Sequence, residues 1–314
     1  MWSRGNLIGA LAFALVAAGA PLLPQWLVSL STIAFANALV VLGLVILWRT
    51  GLVPFGQALF YAIGAYAVAL IGRYTPVRDV FVVVLAGAVC AGIVAYLVGF
   101  LLARYREIFF AMLSMALSMI LYGILVRSAA LGSTDGFNLS APTFLGIAAD
   151  GATGRLYIYS LAVIVTIGMA AALDRFIRSP AGVIGEAIQT NEIRIEYLGT
   201  SVTGVLHLTY VLGATAAGLG GALVALAAGH IDPDLAYWTT SGEFVFVAIL
   251  SGTGHVAAPL LGMAVFETVR TFASQYLPYT WQMVVGISML AVILFLPSGL
   301  WSLFVRARRR RGLP

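Results

Sequence analysis

Residues 80–103 read VFVVVLAGAVCAGIVAYLVGFLLA, a run without a single charged side chain. A helix needs about 20 consecutive apolar residues to cross the hydrocarbon core of a bilayer. Backbone amides and carbonyls inside that core must bond to one another, so an apolar stretch of this length is helical there. The run therefore predicts a transmembrane helix, and comparable runs lie before and after it.

Further apolar runs give the predicted fold class. They lie at residues 7–23, 27–47, 53–71, 108–126, 156–173, 205–228, 244–250, 256–277 and 281–296. The chain of 314 residues is 61% hydrophobic and 9% charged, unlike a soluble domain. We expect an all-α polytopic membrane bundle with about eight to ten transmembrane segments, including interrupted or re-entrant elements. It forms one transmembrane domain, 1–305, followed by a basic tail, 306–314.

The arginine positions predict the orientation, because cytoplasmic loops keep an excess of basic residues. With the N-terminus inside, 7 arginines in the N-terminus and loops and 5 in the tail face the cytoplasm, which is 12 of the 17 in the chain. The opposite orientation inverts the ratio, so we expect both termini to be cytoplasmic. The basic tail follows an apolar segment directly, which suits contact with anionic membrane lipids and not with nucleic acid.

Several kinds of chemistry are excluded by composition. No lysine occurs in the chain, so the phosphate-binding motif G-x-x-x-x-G-K-[ST] and Schiff-base catalysis are both absent. The single cysteine, Cys90, rules out disulfide frameworks and is expected to be a small buried residue. His230, Asp232 and Asp234 share one loop, but Pro233 interrupts them and no other histidine is near. We therefore predict no metal site and no cofactor bound by this chain.

The apolar run 244–250 is too short for an ordinary span and leads into SGTGHVAAP, residues 251–259. Gly252, Gly254 and Pro259 disfavour a continuous helix here. Because both termini are expected inside, this region crosses the membrane twice or not at all. We expect either a short and a long span hinged at the glycines, or a re-entrant element surrounded by protein or water.

A predicted cytoplasmic segment contains SPAGVIGEAIQTNEIRIEYLG, residues 179–199. Ser179 followed by Pro180 is a helix-start signal, Asn191 predicts a break before a second short helix, and Gly199 predicts the end of that helix. The apolar side chains predicted to share one helix face are Val183, Ile184, Ala187 and Ile188. Such a stripe outside the bilayer fits either a partner protein or the chain's own bundle and lipid headgroups.

The stretch GLVPFGQALFYAIGAY, residues 51–66, is rich in small residues that let helix backbones approach closely. The first interpretation is helix packing. The alternative is that Phe55, Gln57 and the kink after Pro54 line a path through the membrane. Elsewhere in the membrane, Glu267 and Arg270 lie three residues apart and are expected to neutralise each other, as a structural pair or as a gate.

Three of these stretches resemble one known family. The segment 179–199 is similar to the loop S-P-x-G-R-x-x-x-A-I-R-x-N-E-x-x-A-x-x-x-G of permease subunits in high-affinity branched-chain amino acid ABC transporters, LivM-type chains in particular. Residues 51–66 resemble the family's G-x-x-S-F-G-Q-A-x-F-x-x-I-G-A-Y, and residues 251–262 resemble its G-G-x-G-T-x-x-G-P-x-x-G. The order and spacing of the three agree along the chain. Departures are Val183 and Gln189, where the family often has arginine, together with Ser251 and His255.

The resemblance implies that residues 174–203 form a segment that couples the permease to a separate ATPase. The implied coupling residues are Ser179, Pro180, Gly182, Glu186, Ala187, Asn191, Glu192 and Gly199. It further implies a homologous second permease subunit, two ABC ATPase subunits that bind ATP and Mg, and a periplasmic or lipid-anchored solute-binding protein. The expected location is the bacterial inner membrane, and the expected solutes are leucine, isoleucine and valine.

Paired interrupted segments in two halves of a transporter point to a transport site near the midplane. The predicted path residues are Phe55, Gly56, Gln57, Gly64, Ser251, Gly252, Thr253, Gly254 and Pro259. One alternative is the same architecture carrying urea, short amides or another small solute. An ion-coupled secondary transporter is disfavoured, since six of the spans lack acidic residues, and an intramembrane serine protease is disfavoured because no G-x-S-x-G motif occurs.

Overall fold

The computed structural model describes residues 24–139, 141–148, 151–252, 255–296 and 299–302. The predicted first span, 7–23, and the basic tail, 306–314, lie outside these ranges. The predicted path residues Thr253 and Gly254 also lie outside them.

The described part of the chain is almost entirely helical. Its helices are α1 (Gln25–Trp48), α2 (Gln57–Tyr74), α3 (Val80–Leu102), α4 (Glu107–Arg127), α5 (Gly151–Ile177), α6 (Pro180–Thr190), α7 (Glu192–Tyr197), α8 (Val202–Ala228), α9 (Trp238–Ser251), α10 (Ala258–Tyr276) and α11 (Trp281–Phe295). Two antiparallel strand pairs join β1 (Phe137–Asn138) to β4 (His230–Ile231) and β2 (Thr143–Phe144) to β3 (Ile147–Ala148). The predicted all-α membrane bundle is confirmed.

Five described helices are long and apolar enough to cross a membrane, namely α1, α3, α4, α5 and α8. Helix α2 begins later than the predicted span at 53–71, because residues 49–56 form an irregular segment. Gly51 lies there in the left-handed region at φ 81°, and Pro54 lacks a backbone donor. The segment therefore turns at residues 49–51 after α1 and enters the bundle as irregular chain before α2 starts at Gln57.

Helix α8 forms the centre of the bundle, with α1, α2 and α3 packed around it. Glycine makes these approaches possible. A Cβ on Gly64 of α2 would overlap the backbone of Gly218, and a Cβ on Gly221 would overlap the carbonyl of Tyr61. Small residues at a helix crossing allow close van der Waals packing inside a membrane.

The loops divide between two ends of the bundle as the arginine pattern predicts. At one end, which we name the arginine-rich end, Arg49 pairs with Glu186 and Arg106 pairs with Glu192. At the opposite end, β1 pairs with β4 and the backbone amide of Leu145 donates to Asp79. Loops expected to share a side are thus in contact with each other.

The interrupted region consists of two helices joined by a break at the arginine-rich end. Helix α9 ends at Ser251, and Gly252 follows it with φ at 81°. The backbone amide of Leu300, which follows α11, donates to the Leu250 carbonyl at 2.8 Å. Helix α10 then runs back towards the opposite end. The prediction of a short and a long span hinged at the glycines agrees with this arrangement.

The start of α9 lies inside the bundle. Ser118, midway along α4, donates its hydroxyl to the Ala236 carbonyl at 2.8 Å. Ala236 ends a 3₁₀ turn, Pro233–Ala236, that carries the chain inward from the opposite end. Helix α9 therefore starts at mid-depth, which explains how 14 residues suffice to reach the arginine-rich end.

Candidate functional site

The hairpin of α6 and α7 at the arginine-rich end forms as the sequence predicts. Ser179 accepts a hydrogen bond from the Gly182 amide at 3.4 Å, and Pro180 occupies the first turn of α6. Asn191 ends α6 and its side-chain oxygen accepts from the Arg194 amide at 2.9 Å, which caps α7. Gly199, at φ 81°, follows α7. Local capping chemistry therefore fixes the shape of the hairpin.

The inner face of α6 differs from the predicted apolar stripe. Gly185 and Ile188 are buried against the bundle, whereas Val183 is 61% exposed. The predicted stripe of Val183, Ile184, Ala187 and Ile188 is therefore only partly covered by the bundle, which buries Ile188 and leaves Val183 exposed. The contact of Gly185 with the bundle sets the rotation of α6, and this rotation turns Val183 outward.

Helix α6 contacts the irregular segment 49–56 at several points. Arg49 Nη2 lies 3.3 Å from Glu186 Oε2. A Cβ on Gly185 would lie 2.8 Å from Thr50 Cγ2, and a Cβ on Gly51 would lie 3.4 Å from Gln189 Cγ. A displacement of α6 therefore acts directly on the chain that leads into α2.

Helix α7 is held by an ion pair. Arg106 Nε donates to both carboxylate oxygens of Glu192, at 3.2 and 2.9 Å, and Arg106 Nη2 lies 2.7 Å from Oε1. A bidentate arginine–carboxylate pair fixes geometry better than a single contact. The outward side of α7 carries large apolar residues, and Ile193, Tyr197 and Leu198 are 65%, 88% and 74% exposed. The hairpin thus presents an apolar surface that the described bundle does not cover.

The N-terminus of α2 is held by hydroxyls from two other helices. The Phe55 amide donates to Ser114 Oγ at 3.1 Å, and the Ala58 amide donates to Ser241 Oγ at 2.9 Å. Amides at a helix start have no intrahelical partner, so these hydroxyls replace a local cap. The arrangement joins α2 to α4 and α9 within the membrane.

Gln57 is the exceptional polar group at this break. Its side chain is 0% exposed, and neither its amide nitrogen nor its amide oxygen has a hydrogen-bond partner in the described residues. An unsatisfied buried polar group costs about 1–3 kcal/mol. Gly56 and Gly64, the neighbouring predicted path residues, contact the backbones of Ser114 and Gly218. Close packing therefore explains why both positions are glycine. It does not explain why a polar amide is buried at Gln57.

The second break is densely packed in its described part. Ser251 is fully buried and donates to the Val247 carbonyl at 2.6 Å, and a Cβ on Gly262 would overlap its hydroxyl. Pro259 is buried in the first turn of α10. Ser251 lies ten residues along α9 from Ser241, which corresponds to roughly 15 Å of helix. Since Ser241 contacts the first break, the two predicted halves of the path are separated along α9.

His255 connects the second break with the C-terminal segment and the start of the hairpin. Its ring stacks on Trp301, with centroids 4.6 Å apart. Partial loss of hydration lowers the pKa of His255 below its usual range, with Asp174 opposing that shift and Arg178 adding to it. Burial thereby favours the neutral imidazole beside the second break.

The intramembrane charges are arranged differently from the sequence prediction. Glu267 accepts from Asn37 Nδ2 at 2.8 Å, and Tyr61 donates to Asn37 Oδ1 at 3.0 Å. Arg270 instead pairs with Glu243 at 3.3 Å. The predicted pairing of Glu267 with Arg270 is wrong, because packing of α10 against α1 and α9 supplies closer partners.

The single cysteine and the loop histidine take positions as follows. Cys90, expected to be buried, is exposed on α3. Within the described ranges no group of three His, Cys, Asp or Glu side chains is arranged to hold a metal ion. His230 Nδ1 lies 2.8 Å from Asn138 Oδ1, so this histidine joins β4 to β1.

Comparison with known proteins identifies relatives along most of the chain. The family model described as "Branched-chain amino acid transport system / permease component" matches residues 26–293. The branched-chain amino acid permease protein LivM of Salmonella typhimurium is 26% identical over 301 residues, covering 87% of this chain and 69% of the relative. BraD of Pseudomonas aeruginosa, a permease protein of the same kind of system, is 25% identical over 292 residues, covering 88% and 94%. LivH of Salmonella typhimurium is 30% identical over 139 residues, covering 44% and 45%. No solved structure matches the chain.

Proposed function

The chain belongs to the family of permease components of branched-chain amino acid transport systems, and from this premise we propose that it is the membrane subunit of an ATP-driven importer. It moves leucine, isoleucine or valine across the bacterial inner membrane. Energy comes from ATP hydrolysed by a separate subunit, since this chain has no lysine with which to form a P-loop. ATP and Mg bind to that partner.

One observation carries the proposal. The hairpin of α6 and α7 projects from the bundle with uncovered apolar side chains, while its inner side is attached to the segment that enters α2. A ligand state shifts a conformational equilibrium only through contacts that differ between the states. An ATPase docked on the hairpin makes such contacts, and α6 passes the displacement to residues 49–56. In this account α6 and residues 49–51 move as one body.

The proposed partners follow from the same account. Two ATPase subunits dock on this chain and on a homologous second permease, and a periplasmic or lipid-anchored protein delivers the solute. The relatives named LivM and LivH are both permease proteins of such systems, which supports a second permease chain. Both termini of this chain are cytoplasmic, as is the hairpin, in agreement with the excess of arginines at that end.

Gln57 is the proposed polar contact on the translocation path. Its amide is unsatisfied in the described structure, so an outward or inward rearrangement of α2 that exposes it to water or solute would gain hydrogen bonds. Because residues 49–56 lead directly into Gln57, the displacement of α6 ends at this side chain. Phe55, Ser251, Gly252, Thr253, Gly254 and Pro259 stay proposed path residues, whereas Gly56 and Gly64 are also explained by close packing.

Uptake by a reconstituted complex tests the proposed function. Proteoliposomes containing this chain, the second permease, the ATPases and the binding protein are expected to accumulate radiolabelled leucine only with hydrolysable ATP. The alternative solutes, urea and short amides, are supplied in parallel. Accumulation of urea without leucine, or leucine uptake that needs no ATP, would contradict the proposal.

Docking is tested separately with Val183, the exposed apolar residue of α6. Val183→Glu is expected to weaken co-purification of the ATPase while leaving membrane insertion intact. Leu145→Glu is the matched control, because Leu145 is also apolar and exposed, at 81%, but lies at the opposite end. Equal ATPase binding by the two variants would show that α6 is not the docking surface.

A further inference from the structure

A half-exposed ion pair lies on one face of α9 and α10. Arg270 Nη1 is 3.3 Å from Glu243 Oε2, and the two side chains are 40% and 30% exposed. The Arg270 guanidinium also lies over the Trp281 ring, 5.5 Å from its centroid. This pair differs from the neighbouring Glu267, which is 5% exposed and bonded to Asn37 inside the bundle.

The pair lies at membrane depth. Arg270 precedes the end of α10 at Tyr276 by six residues, or roughly 9 Å of helix. Glu267, one turn deeper, contacts Asn37 in the middle of α1. Glu243 lies near the start of α9, which itself begins inside the bundle. Both charged groups therefore lie within the apolar layer and not at its surface.

A lipid-facing position does not satisfy these groups. Arginine carries several N–H donors, and the described residues give Arg270 one hydrogen bond, to Glu243. Charged side chains inside a membrane almost always face a protein interior or a water-filled cavity. The exposed side of the pair is therefore expected to meet water, a polar ligand or a partner chain, and not lipid.

The same face of α9 continues as an apolar surface. Phe246 and Ile249 follow Glu243 at intervals of three residues and are 51% and 39% exposed. A cation of α10 thus lies beside an anion of α9, and the anion is followed along α9 by an apolar surface. That is the chemical pattern of an aliphatic α-amino acid, which carries an ammonium, a carboxylate and an apolar side chain.

We propose that Arg270 and Glu243 form a binding site for the amino acid zwitterion on the translocation path, which we call the station. The Arg270 guanidinium receives the carboxylate, Glu243 receives the ammonium, and Phe246 contacts the aliphatic side chain. When no solute is present the two residues pair with each other, so neither charge is left alone in the membrane. The proposal rests on the proposed function and adds the solute contacts. It also predicts that urea, which has neither charge, is not held there.

Accessibility of Phe246 tests the station directly. In a Cys90→Ser background, Phe246→Cys is expected to react with a small water-soluble thiol reagent and to be protected by leucine but not by urea. Ile287→Cys is the matched control, since Ile287 is 56% exposed on α11, a helix whose residues 281–295 include no charged side chain. If Phe246→Cys reacts no faster than Ile287→Cys, the proposal that the station binds solute is wrong.

Transport kinetics give the second measurement. Glu243→Gln is expected to raise the KM for leucine about tenfold, the loss typical of a hydrogen bond to a charged group. Glu267→Gln, which retains an acceptor for Asn37, is expected to leave the KM unchanged. An unchanged KM in Glu243→Gln overturns the station even if the parent transports leucine normally. If the Cys90→Ser parent shows no ATP-dependent leucine uptake, the proposed function is contradicted. Labelling of Phe246→Cys still tests the station in that case.

Discussion

The contact between Gly185 and Thr50 gives a quantitative prediction about how α6 is held. A Cβ on Gly185 would lie 2.8 Å from Thr50 Cγ2, closer than side chains pack, and 4.0 Å from Val205 Cγ1. Gly185→Ala therefore forces α6 away from the segment that enters α2. Extra methyl groups in a well-packed contact cost about 1–3 kcal/mol. If the contact carries coupling of that size, leucine uptake per ATP hydrolysed falls by about 5- to 150-fold.

A second substitution isolates the responsible methyl group. Thr50→Ser removes Cγ2 but keeps the hydroxyl that donates to the Leu47 carbonyl at 2.7 Å. Alone it loses one buried methyl, worth about 1 kcal/mol. Combined with Gly185→Ala, it makes room for the new Cβ, so the double variant is expected to recover stability and coupling relative to Gly185→Ala.

Two assays follow the series in nanodiscs. Thermal unfolding reports the strain, and the ratio of leucine uptake to ATP hydrolysis in the full complex reports coupling. The reasoning is refuted if Gly185→Ala matches the parent in both assays. A loss in the double variant, relative to the parent, that equals the sum of the two single losses would also contradict the proposed contact, since independent effects add.

Three further predictions concern the bundle and the second break. Gly64→Ala is expected to lower the free energy of unfolding by more than about 2 kcal/mol, because its new Cβ would overlap a facing backbone. Gly123→Ala is expected to be tolerated, because a Cβ there meets open space, and thermal unfolding compares the two variants. Asn37→Leu is expected to lower the free energy of unfolding by about 1–3 kcal/mol, because it removes the hydrogen bond to Glu267. Adding Glu267→Gln is expected to recover part of this loss. Because the pKa of His255 is lowered on folding, the unfolded chain takes up its proton first, so stability is full above about pH 6.5 and declines as the pH falls below it. His255→Asn should flatten that decline in melting curves, and an unchanged pH dependence would contradict the assignment.

The sequence predicts those features that short-range chemistry determines. The serine and proline at the start of α6, the asparagine between α6 and α7 and the glycine after α7 each act within a few residues, so their effects are visible in the chain itself. Uninterrupted apolar runs likewise predict the long helices, because backbone groups in a membrane have no other partner than their own helix.

Features set by helix packing are not visible in the same way. Spacing places Glu267 and Arg270 on one side of a helix, but Asn37 is 230 residues away from Glu267 and only packing brings it within 2.8 Å. The exposure of Val183 depends likewise on the Gly185 contact with Thr50. Polar residues within apolar runs are the available signal, and Asn37 is one that sequence reasoning passed over.

The hydroxyls around the first break illustrate the same limit. Ser114 and Ser241 lie in different helices, and each accepts an amide at the start of α2. No spacing rule links serines so far apart along the chain. The sequence marks Gln57 as the unusual polar residue, but only the structure shows that its amide is buried without a partner among the described residues.

A disulfide between α6 and the segment at Thr50 tests most directly whether the two move as one body. An ideal Cβ on Gly185 lies 4.0 Å from Thr50 Cβ, within the range of about 3.5–4.5 Å seen for disulfides. The measurement is ATP-driven leucine uptake by the Thr50→Cys, Gly185→Cys variant in a Cys90→Ser background, before and after oxidation. The oxidised complex is expected to transport as well as the reduced one, since the bond joins parts that already move together. Uptake that stops on oxidation and returns on reduction would contradict this expectation, because α6 would then have to slide over the segment during each cycle.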